Sequence, residues 1–173
     1  MNKSSVSSLI ITLKINDEAQ QFFDEQRKKY FPAYANFMQS HLTLFHKLPL
    51  GKEIINDELE KFSQRKSFDL QVTGVKNIGN GAAYEIESAE LGSLHQQMQQ
   101  AFQPFLISRD MQVLWPHITV QNKVTAYRAK LTAEKLSGDD FPVVIKAVGF
   151  SVWVYLKKYW EYKQDYIFNE MSS

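Results

Sequence analysis

With 173 residues, 44% of them hydrophobic and 13% aromatic, the chain can form one domain with a sizeable core, or one domain of two similar lobes. Twenty basic against nineteen acidic residues leave a net charge of +1, too even for a general footprint on long duplex nucleic acid, so an anionic ligand has to be held by local groups in a cleft. The lack of cysteine excludes disulfides, thiolate zinc sites and a cysteine nucleophile, and no apolar run approaches the roughly 20 residues needed to cross a bilayer.

In chain order, Met1-Asn2-Lys3-Ser4-Ser5 carries no small-residue cleavage site, so no signal peptide and a cytoplasmic location are expected. Leu9 to Ile15 is apolar at positions 9, 11, 13 and 15, the period of a strand. Asn16 or Asp17 then caps a helix whose apolar side is Ala19, Phe22, Phe23 and Tyr30. After a loop, His41-Leu42-Thr43-Leu44 opens a strand, and a helix at about 52–63 turns Ile54, Ile55, Leu59 and Phe62 inward. Phe68 to Val75 predicts a third strand, and Asn77 to Gly81 is a turn-rich break. Beyond it the order starts again. Ala82, Tyr84 and Ile86 mark a strand, Ser88 caps a helix with Leu91, Leu94, Met98 and Phe102 on one side, and His117-Ile118-Thr119-Val120 opens a strand. A helix at about 125–137 follows, with Ala126, Ala129, Ala133 and Leu136 inward and Gly138 closing it, and then a strand over Phe141 to Val148. The aromatic and β-branched stretch Phe150 to Phe168 predicts one or two further strands, with Lys157-Lys158 at a hairpin tip.

The helices recur at a shift of 72 (91 − 19), the histidines at 76 (117 − 41) and the third strands at 73 (141 − 68). Recurrence of four elements in order predicts a duplication, hence a single bilobal domain with repeat one at about 6–78 and repeat two at about 80–170.

In a strand, residues i and i+2 share a face, so His41 and Thr43 point one way while Leu42 and Leu44 point the other; His117 with Thr119, and Ile118 with Val120, repeat this. The apolar partners explain where each strand packs. They do not explain an imidazole and a hydroxyl on the opposite face at equivalent points of two repeats. If the halves are related by an approximate two-fold axis, the two imidazoles approach one bound group from opposite sides. Displacement at phosphorus places attacking and leaving oxygens roughly in line. A neutral histidine can take a proton from the incoming oxygen and a protonated one can give a proton to the departing oxygen, since the imidazole pKa of about 6.5 lies near working pH. The threonine hydroxyls can donate to the non-bridging oxygens where charge builds.

The two His-hydrophobic-Thr-hydrophobic motifs resemble the signature of the two-histidine (2H) phosphoesterase superfamily. The strings HLTLFHKLP (41–49) and WPHITVQNKV (115–124), with the lead-in KYFPAYANFMQSHLTLFH, resemble its bacterial 2′-5′ RNA ligase-like branch in particular. The resemblance spans nearly the whole chain. It implies an α+β fold of two pseudo-symmetric lobes of antiparallel sheet with outer helices around a central cleft. The implied activity is hydrolysis, or reversible ligation, of 2′,3′-cyclic or 2′-5′ phosphodiester linkages of RNA ends or nucleotides. His41 and His117 match the family's catalytic histidines and Thr43 and Thr119 its phosphate-binding hydroxyls. No cofactor or metal is expected, and the partner is an RNA end or nucleotide bearing such a linkage, met by a monomer. The alternative is a non-catalytic RNA-end or nucleotide-phosphate binder that retains the cleft.

Other residues have weaker signals. Phe45 is expected on the face of His41, as a base-stacking ring or cleft wall. Trp160 is a candidate substrate contact within Tyr155-Leu156-Lys157-Lys158-Tyr159-Trp160, a mixture of aromatics and lysines that an exposed hairpin tip also produces. Strict alternation turns His46, five residues on, away from His41, as a structural residue at the strand end, with a substrate contact as the lesser alternative. His95 is expected at the helix boundary with a nitrogen reaching out. Zinc held by His41, His46 and His117 lacks the usual carboxylate or third close ligand. Arg109 and Lys123 flank the second motif as surface charges able to steer a phosphate.

Overall fold

The structure, a computed structural model, describes residues 7–170, so the Met1–Ser5 stretch lies outside the described residues. Its elements are β1 (Ser8–Ile15), α1 (Asp17–Tyr30), β2 (Leu42–Pro49), α2 (Glu53–Phe62), β3 (Phe68–Asn77), β4 (Ala82–Glu87), α3 (Ala89–Phe102), β5 (His117–Gln121), α4 (Ala126–Gly138), β6 (Val144–Leu156) and β7 (Tyr159–Ile167). Strand, helix, strand, helix, strand occurs twice in succession, and β7 is the addition. No helix among the described residues is long and apolar enough to cross a membrane.

All strands join one antiparallel sheet in the order β2-β1-β6-β3-β4-β5, with β7 on β6. Exchanging the halves (β1 for β4, β2 for β5, β3 for β6) returns the same order, so the sheet is a palindrome. The third strand of each half crosses over: β3 pairs with β4 and β6 with β1. The halves meet where Gln71 faces Val144, and the Val72 amide donates to Val143 O at 2.8 Å beside that pair. Neither half can complete its sheet alone.

The helices cross over too. Phe22 and Phe23 of α1 meet Tyr84 of β4 edge-on at 5.9 and 5.2 Å, covering the far half of the sheet together with α4. Phe102 of α3 meets Phe45 of β2 at 5.4 Å on the near half. Leu9, Ile11, Leu13, Leu42, Leu48, Phe150 and Val152 form the buried face under α2 and α3. The other face, carrying Thr12, Thr43, Ser151 and Trp153 by register, is left for the cleft.

Several local expectations change. Ser88 caps α3, its Oγ accepting from the Leu91 amide at 3.1 Å, but Asn16 does not cap α1 with its side chain. Its Oδ1 accepts from the Lys146 amide (2.9 Å) and its own amide donates to Lys146 O (3.0 Å), tying α1 to the crossing strand. Gly138 is the last residue of α4 rather than its terminator; Asp139 takes the cap position. The strand expected over Phe141 to Val148 starts at Val144 and runs without a break to Leu156, because β1 pairs along it from Ala147 to Tyr155. The hairpin tip does fall at Lys157-Lys158, with Lys157 in the left-handed region at φ 60°.

Candidate active site

His41 stands immediately before β2 and His117 opens β5. The chain reaches His41 through Ser40, whose amide donates to Asp24 Oδ1 (2.7 Å) and whose carbonyl accepts from Gln20 Nε2 (2.8 Å), so α1 sets where the ring begins. Both imidazoles are then held in the same way. Nδ1 of His41 donates to Gln39 O at 2.9 Å and Nδ1 of His117 to Trp115 O at 2.8 Å, each two residues upstream. A carbonyl can only accept, so the proton sits on Nδ1 and the neutral ring offers its Nε2 lone pair. Each ring is also covered by an indole: Trp160 lies 4.5 Å from His41, and Trp115 stacks on His117 at 4.0 Å and 17°. Trp115 is itself fixed by its Nε1–H to Glu85 Oε2 (3.3 Å) and by Lys76, whose ammonium lies 5.0 Å from its ring.

Thr43 and Thr119 are half-buried; Thr43 lines one cavity with His117, while His41 and Thr119 are not among the residues lining that cavity. That cavity, of about 210 Å³, takes lining from both halves: Thr43 and His46 from β2, Arg109, Trp115 and His117 from β5 and its approach. Burial is the main cause that lowers the His41 pKa to about 4; the Gln39 carbonyl opposes it, and the charges of Arg27, His117 and His46 lower it further. His117 is also lowered, by burial first, against the Trp115 carbonyl, with His46 and Arg109 adding to the fall and Glu85 opposing it. Both imidazoles are therefore neutral at neutral pH. Among the described residues no group of three His, Cys, Asp or Glu is placed to hold a metal ion.

Three sequence expectations are corrected. The β1–β2 register slips twice, between Leu9/Ile11 and Ile11/Thr12, so β2 carries extra residues against β1. Leu44 and Phe45 consequently both turn inward, and Phe45 is fully buried against Phe102 and His95, not a cleft wall or base-stacking ring. His46 is carried to the cleft side instead of away from it. His95 is not a boundary residue: it is 3% exposed, stacked on Phe45 at 4.8 Å, with its Nε2–H donating to Leu44 O at 3.0 Å, a carbonyl the bulge leaves free. A matching slip in β5 turns Val120 and Gln121 inward together. Arg109 lines the cavity; Lys123 does not.

One residue escaped the sequence altogether. Arg27 of α1 is 6% exposed, its guanidinium 3.9 Å above the Phe31 ring, with Nε–H donating to Asn36 Oδ1 (2.7 Å) and Nη1–H reaching Thr119 O (3.5 Å). Burial lowers its pKa to about 10, which keeps it charged, and that charge acts on His41. The signal was available: positions 19, 23 and 27 form one buried i, i+4 row in which a cation follows Ala19 and Phe23.

The sequence matches the model of the 2′-5′ RNA ligase superfamily over residues 15–158. No curated protein matches it. Among solved structures, TT0787 of Thermus thermophilus superposes with a TM-score of 0.62 at 13% identity, over 95% of this chain and 100% of that one. A protein described as a phosphoesterase gives 0.59 at 12% identity, over 96% and 100%. E. coli LigT complexed with 3′-AMP gives 0.57 at 14% identity, over 95% and 99%. These similarities concern the fold, an α+β arrangement of antiparallel sheet with outer helices; the family match covers 144 of the 173 residues (158 − 15 + 1). The chain belongs to the 2′-5′ RNA ligase superfamily, the two-histidine phosphoesterases that its paired motifs resemble.

Proposed function

We propose that the protein is a cyclic phosphodiesterase or 2′-5′ RNA ligase-like phosphoesterase, acting on 2′,3′-cyclic or 2′-5′ phosphodiester linkages of RNA ends or nucleotides by metal-independent acid–base catalysis. The observation that carries this reading is the repeated ring geometry: two imidazoles from opposite halves, each oriented through Nδ1 by a carbonyl two residues upstream, each covered by an indole. A neutral Nε2 accepts a proton from the attacking water or hydroxyl. The other ring enters with the proton it loses to the departing oxygen, and Thr43 and Thr119 donate to the oxygens of the phosphorus group. His41, whose pKa is pulled furthest down, suits the base in hydrolysis, and His117 the acid. Trp160 beside His41 bounds the leaving or attacking sugar; Phe45 has no part. E. coli LigT has been crystallised with 3′-AMP, ATP, NADP+ and phosphate, which makes nucleotide phosphates the ligand class to test first. We read the chain as one bilobal domain, with repeats at about 6–78 and 80–170, working as a cytoplasmic monomer.

The test is a panel of 2′,3′-cyclic nucleotides and 2′-5′ dinucleotides assayed against pH with and without EDTA. Turnover is expected to survive EDTA. Because both histidines are depressed in the free enzyme, the bell in kcat/KM is expected to centre below the ordinary imidazole pKa of about 6.5. Its acid limb, where His41 gains a proton, is expected near 4. The bound phosphate's negative charge raises both rings, so the bell in kcat lies at higher pH than that in kcat/KM. A strict metal requirement, or a flat profile across pH 4–8, rejects the mechanism.

A further inference from the structure

The bulge that carries His46 into the cleft is held by a buried carboxylate from the other half. Asp110, 2% exposed in the short 3₁₀ turn Ser108–Met111, accepts the His46 amide (2.9 Å to each oxygen), the Lys47 amide (3.0 Å) and Nδ1–H of His46 (2.9 Å). Burial alone would raise its pKa, but the His46 side-chain bond and the two amides outweigh it and hold the carboxyl below its ordinary value, so a fixed anion sits behind the ring. With Nδ1 engaged, His46 presents Nε2 to the cavity that Thr43 and His117 share. Arg109, the neighbour of Asp110, lines the same cavity and has no ion-pair partner among the described residues. The other half has no equivalent. At the shift of 76, His46 maps to Asn122, whose Oδ1 accepts from the Lys123 amide, Arg109 to Ala33, and Asp110 to the exposed Tyr34.

We propose that His46 and Arg109 form a second phosphate-binding subsite beside the reacting position, with Asp110 as the positioning residue. This rests on the function proposed above and narrows its substrate: a nucleotide or RNA end carrying another phosphate one nucleoside away from the linkage that reacts. A cavity of about 210 Å³ exceeds one phosphate group, given about 30 Å³ for each water of the liquid. The planar guanidinium suits phosphate in two-point contact, and the imidazolium form of His46, its Nδ1–H on Asp110, donates Nε2–H as a third. Because none of these groups has a counterpart at the equivalent position of the other repeat, the subsite gives a nearly symmetric cleft a direction, with the extra phosphate on the His117 side.

Two ligands that do not react separate this from a merely structural bulge: adenosine 2′-monophosphate and adenosine 2′,5′-bisphosphate, titrated into the wild type, His46→Gln and Arg109→Gln. The wild type is expected to bind the bisphosphate about tenfold more tightly, the scale of one charge-assisted contact. Each variant is expected to lose most of that preference while its melting temperature stays within about a degree of wild type, since the bulge is pinned through backbone amides. Equal affinity for the two ligands in the wild type, binding of neither, or variants that keep the preference overturns the subsite. Neither ligand is turned over, so a bisphosphate preference in a protein that hydrolyses nothing on the panel sinks the acid–base reading and leaves the subsite standing. Turnover without the preference does the reverse.

Discussion

Replacing His41 or His117 by alanine is expected to lower turnover of a 2′,3′-cyclic nucleotide about 10²- to 10⁴-fold, the range one positioned proton-transfer group contributes. The loss falls in kcat, because the imidazoles act on a proton that moves only in the transition state. The double variant is expected to lose much less than the product of the two single losses, because base and acid serve one displacement. Neither ring lies among the fully buried core side chains, so both variants are expected to fold, with the circular dichroism of the parent. A single-histidine variant that retains wild-type kcat ends the proposed mechanism.

His41 also leaves a mark on stability. Its folded pKa of about 4 lies below the unfolded value of about 6.5, so between those limits the unfolded chain binds the extra proton. Stability due to this group is present above pH 6.5 and is lost as pH falls towards 4. A His41→Gln variant is therefore expected to gain melting temperature relative to the parent at pH 4.5 compared with pH 7.5. Parallel pH curves for the two proteins would show that the ring is not desolvated.

The largest stability effect is expected at Gly81, which leads into β4. A Cβ there would lie 1.8 Å from Gln121 O, 2.4 Å from its carbonyl carbon and 2.8 Å from Asn122 Cα, all backbone at the end of β5. Backbone cannot swing aside as a side chain can, so Gly81→Ala has to push β5 off β4. Overpacking costs typically 1–3 kcal/mol, and the upper end applies here. For a chain of this size about 3 kcal/mol corresponds to a fall of roughly 6–12 °C in melting temperature. Because β5 also carries His117 and Thr119, phosphate affinity is expected to fall with it. Gly92, exposed in α3 with nothing within 4 Å of a new Cβ, is the control: Gly92→Ala is expected to stabilise by about 0.4–1 kcal/mol. Equal melting temperatures for the two variants would mean that the β4–β5 approach is looser than described.

Much of this architecture was legible along the chain because it depends on neighbours in sequence. The alternation in Leu9–Ile15, the Ser88 cap and the aliphatic rows of α3 and α4 are local patterns with local causes. So is the shared face of His41 with Thr43, where only two residues separate the pair. His46 lies beyond the point at which β2 slips against β1, and a register slip belongs to two strands at once. Counting by twos along one strand therefore assigned Phe45 and His46 to each other's faces. Arg27 was hidden for a similar reason: its partners are Asn36, Phe31 and the Thr119 carbonyl, 92 residues away.

By itself the sequence determined the elements, their repetition and the kinds of side chain offered to a ligand, since period, caps and turn residues act over a few positions. Only the tertiary structure decided that the third strand of each half crosses to the other, that the bulge in β2 turns His46 to the cleft, and that Asp110 waits from the opposite half to hold it. Those outcomes follow from which strands pair and which polar groups must be satisfied once buried, and a chain has neither until its two halves have met.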